Sequence, residues 1–151
     1  MSGFSPTSLN EIGTLEPALA KVLVRARAWS RVPFEVSDGG GARTIEKQRE
    51  HYLAKRSKVN PDAYSTPEEL YKAAKHVVGP GAPLSRAVDL FTPGQYGGSY
   101  DAQALAYLAG IMDAAATSLG VKIRWGGDFD RDGIIMEKGT FIDGPHFELD
   151  Q

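Results

Sequence analysis

Apolar residues recur at three- and four-residue steps from Leu9 through Ile12, Leu15, Leu19, Val22, Leu23 and Ala26, a stripe that predicts amphipathic helix up to Trp29. Pro17 interrupts it and marks a break or a second start. Pro33 to Ser37 reads as a short extended piece that ends in the turn Asp38-Gly39-Gly40-Gly41. Thr44 then caps a helix running to about Lys55, and Ser65-Thr66-Pro67-Glu68-Glu69 opens another that should end near His76. The segment Gly79-Pro80-Gly81-Ala82-Pro83 cannot continue it and must be a loop.

Arg86 to Phe91 reads as a strand. Gly97 to Asp101 leads into a long helix whose apolar side carries Leu105, Leu108, Ile111, Met112, Ala115 and Leu119, with Gly120 as its C-cap. Three short extended pieces follow, Val121 to Trp125, Ile134 to Met136 and His146 to Leu149, separated by Asp- and Gly-rich turns. Helices and strands mix without regular alternation, so the expected class is α+β. A length of 151 residues implies one domain, 1–151.

Composition narrows the chemistry. A formal net charge of -2 gives no footprint for nucleic acid or anionic membranes. With no cysteine, any metal site must draw on His, Asp or Glu. No apolar run is long enough to span a bilayer, and the N-terminus lacks the basic and apolar regions of a secretory signal, so the chain is expected to be soluble and not exported by the standard route.

Four segments place polar groups beside apolar neighbours: Phe34-Glu35-Val36 with Gly41-Ala42-Arg43-Thr44 and Gln48, then Ala87-Val88-Asp89-Leu90, then Ile123 to Phe129, then Asp143-Gly144-Pro145-His146-Phe147-Glu148-Leu149. In extended backbone, Ala87 and Asp89 share one face while Val88 and Leu90 share the other; His146 and Glu148 likewise oppose Phe147. In this order the segments resemble the M15 family of peptidoglycan peptidases, which includes D-Ala-D-Ala carboxypeptidases and the L-alanyl-D-glutamate endopeptidases of phage lysins. The resemblance implies a small central antiparallel sheet flanked by helices, of the Hedgehog/DD-peptidase-like type. It also implies Asp89 and His146 as zinc ligands, Asp143 as general acid/base, and Arg43 and Gln48 on the substrate side.

The chain departs from the family at one point. The family's first ligand is the histidine of His-x-x-Gly-x-Ala-x-Asp, and counting back seven residues from Asp89 reaches Ala82, whose methyl group cannot bind zinc. The chain has three histidines, His51, His76 and His146. His76 precedes the same loop and is the one replacement within reach; its structural alternative is an exposed residue at a helix end. His51 is expected on the surface of its helix. A second metal candidate is Asp128-Phe129-Asp130-Arg131-Asp132-Gly133, with carboxylates at positions one, three and five of a calcium loop, although Gly139 stands at position twelve where a glutamate is needed. A solvated turn is the competing reading.

Two functions follow. The missing ligand favours a peptidase fold with lost or impaired zinc catalysis, acting as a structural or cell-wall-peptide-binding component of a phage particle, with stem peptide or virion proteins as partners and virion or host cytoplasm as location. The alternative is an active zinc metallopeptidase that uses His76. In the first case no cofactor is needed; in the second it is Zn2+, with Ca2+ as an independent option at the Asp128–Asp132 turn.

Overall fold

The computed structural model describes residues 3–139 and 141–150. Its helices are α1 (Pro6–Ile12), α2 (Pro17–Trp29), α3 (Ile45–Leu53), α4 (Pro67–Ala73) and α5 (Ala102–Leu119); its strands are β1 (Glu35–Val36), β2 (Ala87–Phe91), β3 (Ile123–Trp125) and β4 (His146–Leu149). The sheet is antiparallel with order β1-β2-β4-β3. This is the α+β architecture expected.

Local sequence sets most boundaries. Pro17 sits in the first turn of α2, so the apolar stripe splits into two helices at the proline. Thr44, Thr66 and Asp101 each accept a backbone N–H as N-caps of α3, α4 and α5. Gly120 closes α5 at φ 68°, a left-handed conformation that disfavours a side chain.

The alternation of the strands decides what each sheet face meets. Val36, Val88, Leu90, Trp125, Phe147 and Leu149 face α2 and α5 and form the main core with Leu19, Val22, Leu23, Leu108 and Met112. Phe147 is fully buried there, worth about 1.5–3 kcal/mol relative to exposure. The opposite face carries Ala87, Asp89, His146, Glu148 and Arg124, and opens onto a cleft. One sheet thus holds a hydrophobic layer on one side and polar groups on the other.

Two expectations are corrected. Residues 134–136 form no strand: they lie in a long irregular excursion between β3 and β4, Ile134 and Ile135 are exposed, and Met136 adopts φ 53°. Met136 packs against the main core and donates its N–H to Gly127 O at 2.8 Å, but no strand among the described residues pairs with the run. Helix α4 also stops at Ala73, before His76, because Ala74 turns to an extended backbone and Val77 pairs in parallel with Arg43. The 60–83 segment builds a second small core from Leu70, Tyr71, Ala74 and Val77, and only its 72–76 part reaches the cleft.

Candidate metal and catalytic site

The register of the central strand pair builds the first half of the site. Asp89 on β2 stands directly opposite His146 on β4, and Ala87 opposite Glu148, all on the cleft face. Ala87 is the small neighbour that leaves room beside Asp89. His146 is set by its own turn: its N–H donates to Asp143 O at 3.0 Å, and Trp125 Nε1 donates to Gly144 O at 2.7 Å. Gly126 N donates to His146 O and Asp143 N to Gly126 O, both at 2.8 Å, so the carbonyl of Asp143 lies where a Cβ on residue 126 would stand. Glycine is required there by close approach, not by φ.

The second half comes from the segment after α4. His76 is only 5% exposed and points into the cleft, which replaces the expectation of an exposed helix-end residue. The backbone exchange Arg43 N to His76 O at 2.7 Å and Val78 N to Arg43 O at 2.9 Å fixes it against the glycine turn. That turn is itself clamped from α1, since the Glu11 carboxylate accepts from Gly39 N and Gly41 N, both at 2.9 Å.

The loop that follows explains why counting back reached Ala82. His76-Val77-Val78-Gly79 carries the His-x-x-Gly half of the pattern, and six extra residues precede Ala87. They form a closed turn in which Gly79 and Ala82 exchange two hydrogen bonds of 2.9 Å, with Gly81 at φ 85°. Ala82 packs against the second core, away from Asp89. The signal was present in the sequence, but an ungapped register hid it.

His76, Asp89 and His146 converge. His76 Nε2 and His146 Nδ1 each lie 3.3 Å from Asp89 Oδ1, and 3.2 Å from one another. Tetrahedral zinc with bonds of about 2.0–2.1 Å has ligand–ligand edges of about 3.3–3.4 Å. The triangle has that size.

Its protons point outward. His76 Nδ1 lies 2.9 Å from Gly41 O, a pure acceptor, so this nitrogen carries the proton and Nε2 presents a lone pair inward. His146 Nε2 lies 3.2 Å from Glu148 Oε1, which in the neutral imidazole likewise places the proton outside and the Nδ1 lone pair inside. Asp89 Oδ1 is buried and no hydrogen bond reaches it among the described residues. Two imidazoles and a carboxylate facing one another call for positive charge, a proton in the metal-free protein or a metal ion in its place, and each imidazole is oriented by an outer acceptor as metal-bound histidines are. The residues fit zinc.

The same crowding shifts the titrations. Burial alone would raise Asp89, but His76 and His146 hold it well below the usual carboxylate range. Burial would depress His146, yet Asp89 and Glu148 raise it to about 9. Asp143 is pushed up by burial and by the Asp89 charge, against the pull of His146, His76 and Arg43. Arg43 is half-buried; desolvation lowers it while Asp89 and Asp143 oppose that. Its Nη1 donates to Gln48 Oε1 at 2.8 Å.

These groups line a cleft of about 1000 Å³, with Arg43, Gln48 and His76 on one wall and Asp143, His146 and Glu148 on the other. His51 also lines it and is half-buried rather than a plain surface residue. Glu148, which accepts from His146, was not singled out from sequence as a site residue; its position one strand-period after His146 was the available sign.

The aspartates of the second candidate also come together, with ligand atoms within 4.8 Å of one another. Asp130 and Asp132 are exposed. Asp128 Oδ2 accepts from Gly133 N at 3.2 Å and Asp132 Oδ1 from Ile134 N at 2.7 Å, as in a self-capped turn. No helix among the described residues is long and apolar enough to cross a membrane.

Comparison with known proteins agrees with this fold. The model of the phage L-alanyl-D-glutamate peptidase family matches residues 1–150. Among solved structures, the L-Ala D-Glu endopeptidase ChiX of Serratia marcescens is similar with a TM-score of 0.68 and 28% sequence identity, covering 97% of this chain and 89% of that one. No curated protein sequence matches.

Proposed function

Because the chain belongs to the family of phage L-alanyl-D-glutamate peptidases, we propose that it is an active zinc peptidase cutting the L-Ala–D-Glu amide of the peptidoglycan stem peptide, with His76, Asp89 and His146 as the metal ligands. The observation that carries this reading is the triangle of inward lone pairs with edges of 3.2–3.3 Å. The reading as a non-catalytic virion module drew on an absent third ligand, and His76 beside Asp89 removes that ground.

When bound, zinc acidifies water and polarises the scissile carbonyl. Asp143 takes the proton of the attacking water and returns it to the departing amine. Arg43, whose guanidinium faces Asp89 and Asp143, meets a substrate carboxylate or the carbonyl oxygen at which charge develops. Glu148 and the Gly41 carbonyl keep both imidazoles in the ligating tautomer.

The test is metal analysis of the purified protein together with release of stem-peptide fragments from cell walls. One zinc per chain and hydrolysis that a chelator removes are expected; protein that takes up no zinc and leaves cell walls intact refutes the proposal.

A further inference from the structure

Gln48 holds a place in the cleft wall that a substrate-binding role does not explain. It is fully buried, and all of its amide's hydrogen bonds run to the protein. Oε1 accepts from Arg43 Nη1 at 2.8 Å, while Nε2 donates to Ser57 Oγ at 2.9 Å and to Val59 O at 2.8 Å. The amide orientation is fixed by its partners, because a guanidinium can only donate and the Val59 carbonyl can only accept. Ser57 Oγ in turn accepts from Val59 N at 3.2 Å, so the 57–59 turn is tied to the same amide.

We propose that Gln48 is a positioning residue: it aims the Arg43 guanidinium at the reacting centre by bridging it to the 57–59 turn. The proposal rests on the peptidase reading for its consequence, though not for its geometry. Among the described residues Arg43 makes no other side-chain hydrogen bond, and its Nε is buried without one. Without Gln48 the guanidinium would be free to swing away from Asp89 and Asp143. The amide serves both contacts, whereas glutamate at 48 would keep the acceptor for Arg43 but set a carboxylate against the Val59 carbonyl, and an apolar residue would leave Arg43 without its acceptor.

The test compares Gln48→Met, Gln48→Glu and Arg43→Ala in the zinc-loaded full chain. Gln48→Met should lower kcat/KM on cell-wall fragments about 10- to 100-fold, the scale of a displaced positioning group, with zinc content unchanged. In the Arg43→Ala background it should cost less than about twofold more, since residues acting as a unit are not additive. Gln48→Glu keeps the acceptor for Arg43 and should retain more activity than Gln48→Met, even if it melts lower. Additive losses, or activities that simply follow stability across the two Gln48 variants, would overturn the proposal. A second readout is independent of activity: the Arg43 guanidinium resonances in nitrogen-15 NMR should show restricted rotation in the wild type that Gln48→Met releases. If the wild type is inert on cell walls, the peptidase reading fails alone, and unrestricted wild-type resonances then reject the positioning role as well.

Discussion

Two clusters in this molecule bring three potential ligand atoms within 4.8 Å, and they are built in opposite ways. His76, Asp89 and His146 sit on a sheet face and a pinned segment, each imidazole held from outside by an acceptor and the carboxylate oxygen left without a hydrogen bond. Asp128, Asp130 and Asp132 sit on a turn, where all three carboxylates already accept N–H groups of the loop that presents them. Proximity is common to both. What separates them is whether the surrounding structure has been spent on making the lone pairs converge, and burial makes that expenditure visible.

The largest effect should come from His76, the proposed ligand that sequence register concealed. His76→Ala is expected to abolish stoichiometric zinc and reduce cell-wall hydrolysis at least about 10³-fold, because a site with two ligands cannot hold the ion that supplies several kcal/mol of transition-state stabilisation. Changing Ala82, the position the ungapped pattern indicates, should do nothing comparable. Full activity and zinc content in His76→Ala would show that His76 is not a ligand. Next in size is Asp143→Asn, which should cost about 10²–10⁴-fold in kcat while zinc stays bound. Loss of zinc in that variant would make Asp143 a ligand rather than the proton carrier.

These contrasts mirror what the sequence made legible. Period-two alternation put Asp89 and His146 on the face opposite Val88 and Phe147, and the Thr44 cap and the Ser65-Thr66-Pro67 start located two of the helices, because each of these is a local rule. His76 was harder, since its place depends on a backbone pairing with Arg43 across more than thirty residues and on a turn that absorbs six. The Ile134–Met136 run misled for a similar reason: alternation needs a partner strand, and pairing is a non-local fact.

A smaller effect tests the outer shell. Glu148→Gln should weaken zinc binding about 10- to 100-fold, since the imidazole loses its anionic acceptor but keeps its fold. An unchanged affinity would mean that strand register alone orients His146. The metal-free protein should also be pH-sensitive in a defined direction. His146 is raised to about 9, above its unfolded value, so its contribution is complete below about pH 6.5 and is lost as pH climbs through 9. The zinc-stripped protein should therefore melt on the order of 5 °C lower at pH 9.5 than at pH 6.5, whereas zinc-loaded protein, its imidazole held unprotonated, should lack that fall. Equal slopes with and without zinc would show that the metal is not on His146.

The smallest effect belongs to the aspartate turn. Asp130 and Asp132 are exposed, and position twelve of the loop is Gly139, so the bidentate glutamate that tightens a calcium site is missing. Any calcium held there should bind no tighter than about 10⁻⁴ M, the range of open, under-ligated modules, and Asp130→Ala with Asp132→Ala should leave zinc content unchanged. Calorimetric titration of calcium into the zinc-loaded chain measures this directly. A dissociation constant in the micromolar range, lost in the double variant, would show that an exposed turn can be preorganised without a buried shell, and the distinction drawn between the two clusters would have to rest on ligand chemistry instead of burial.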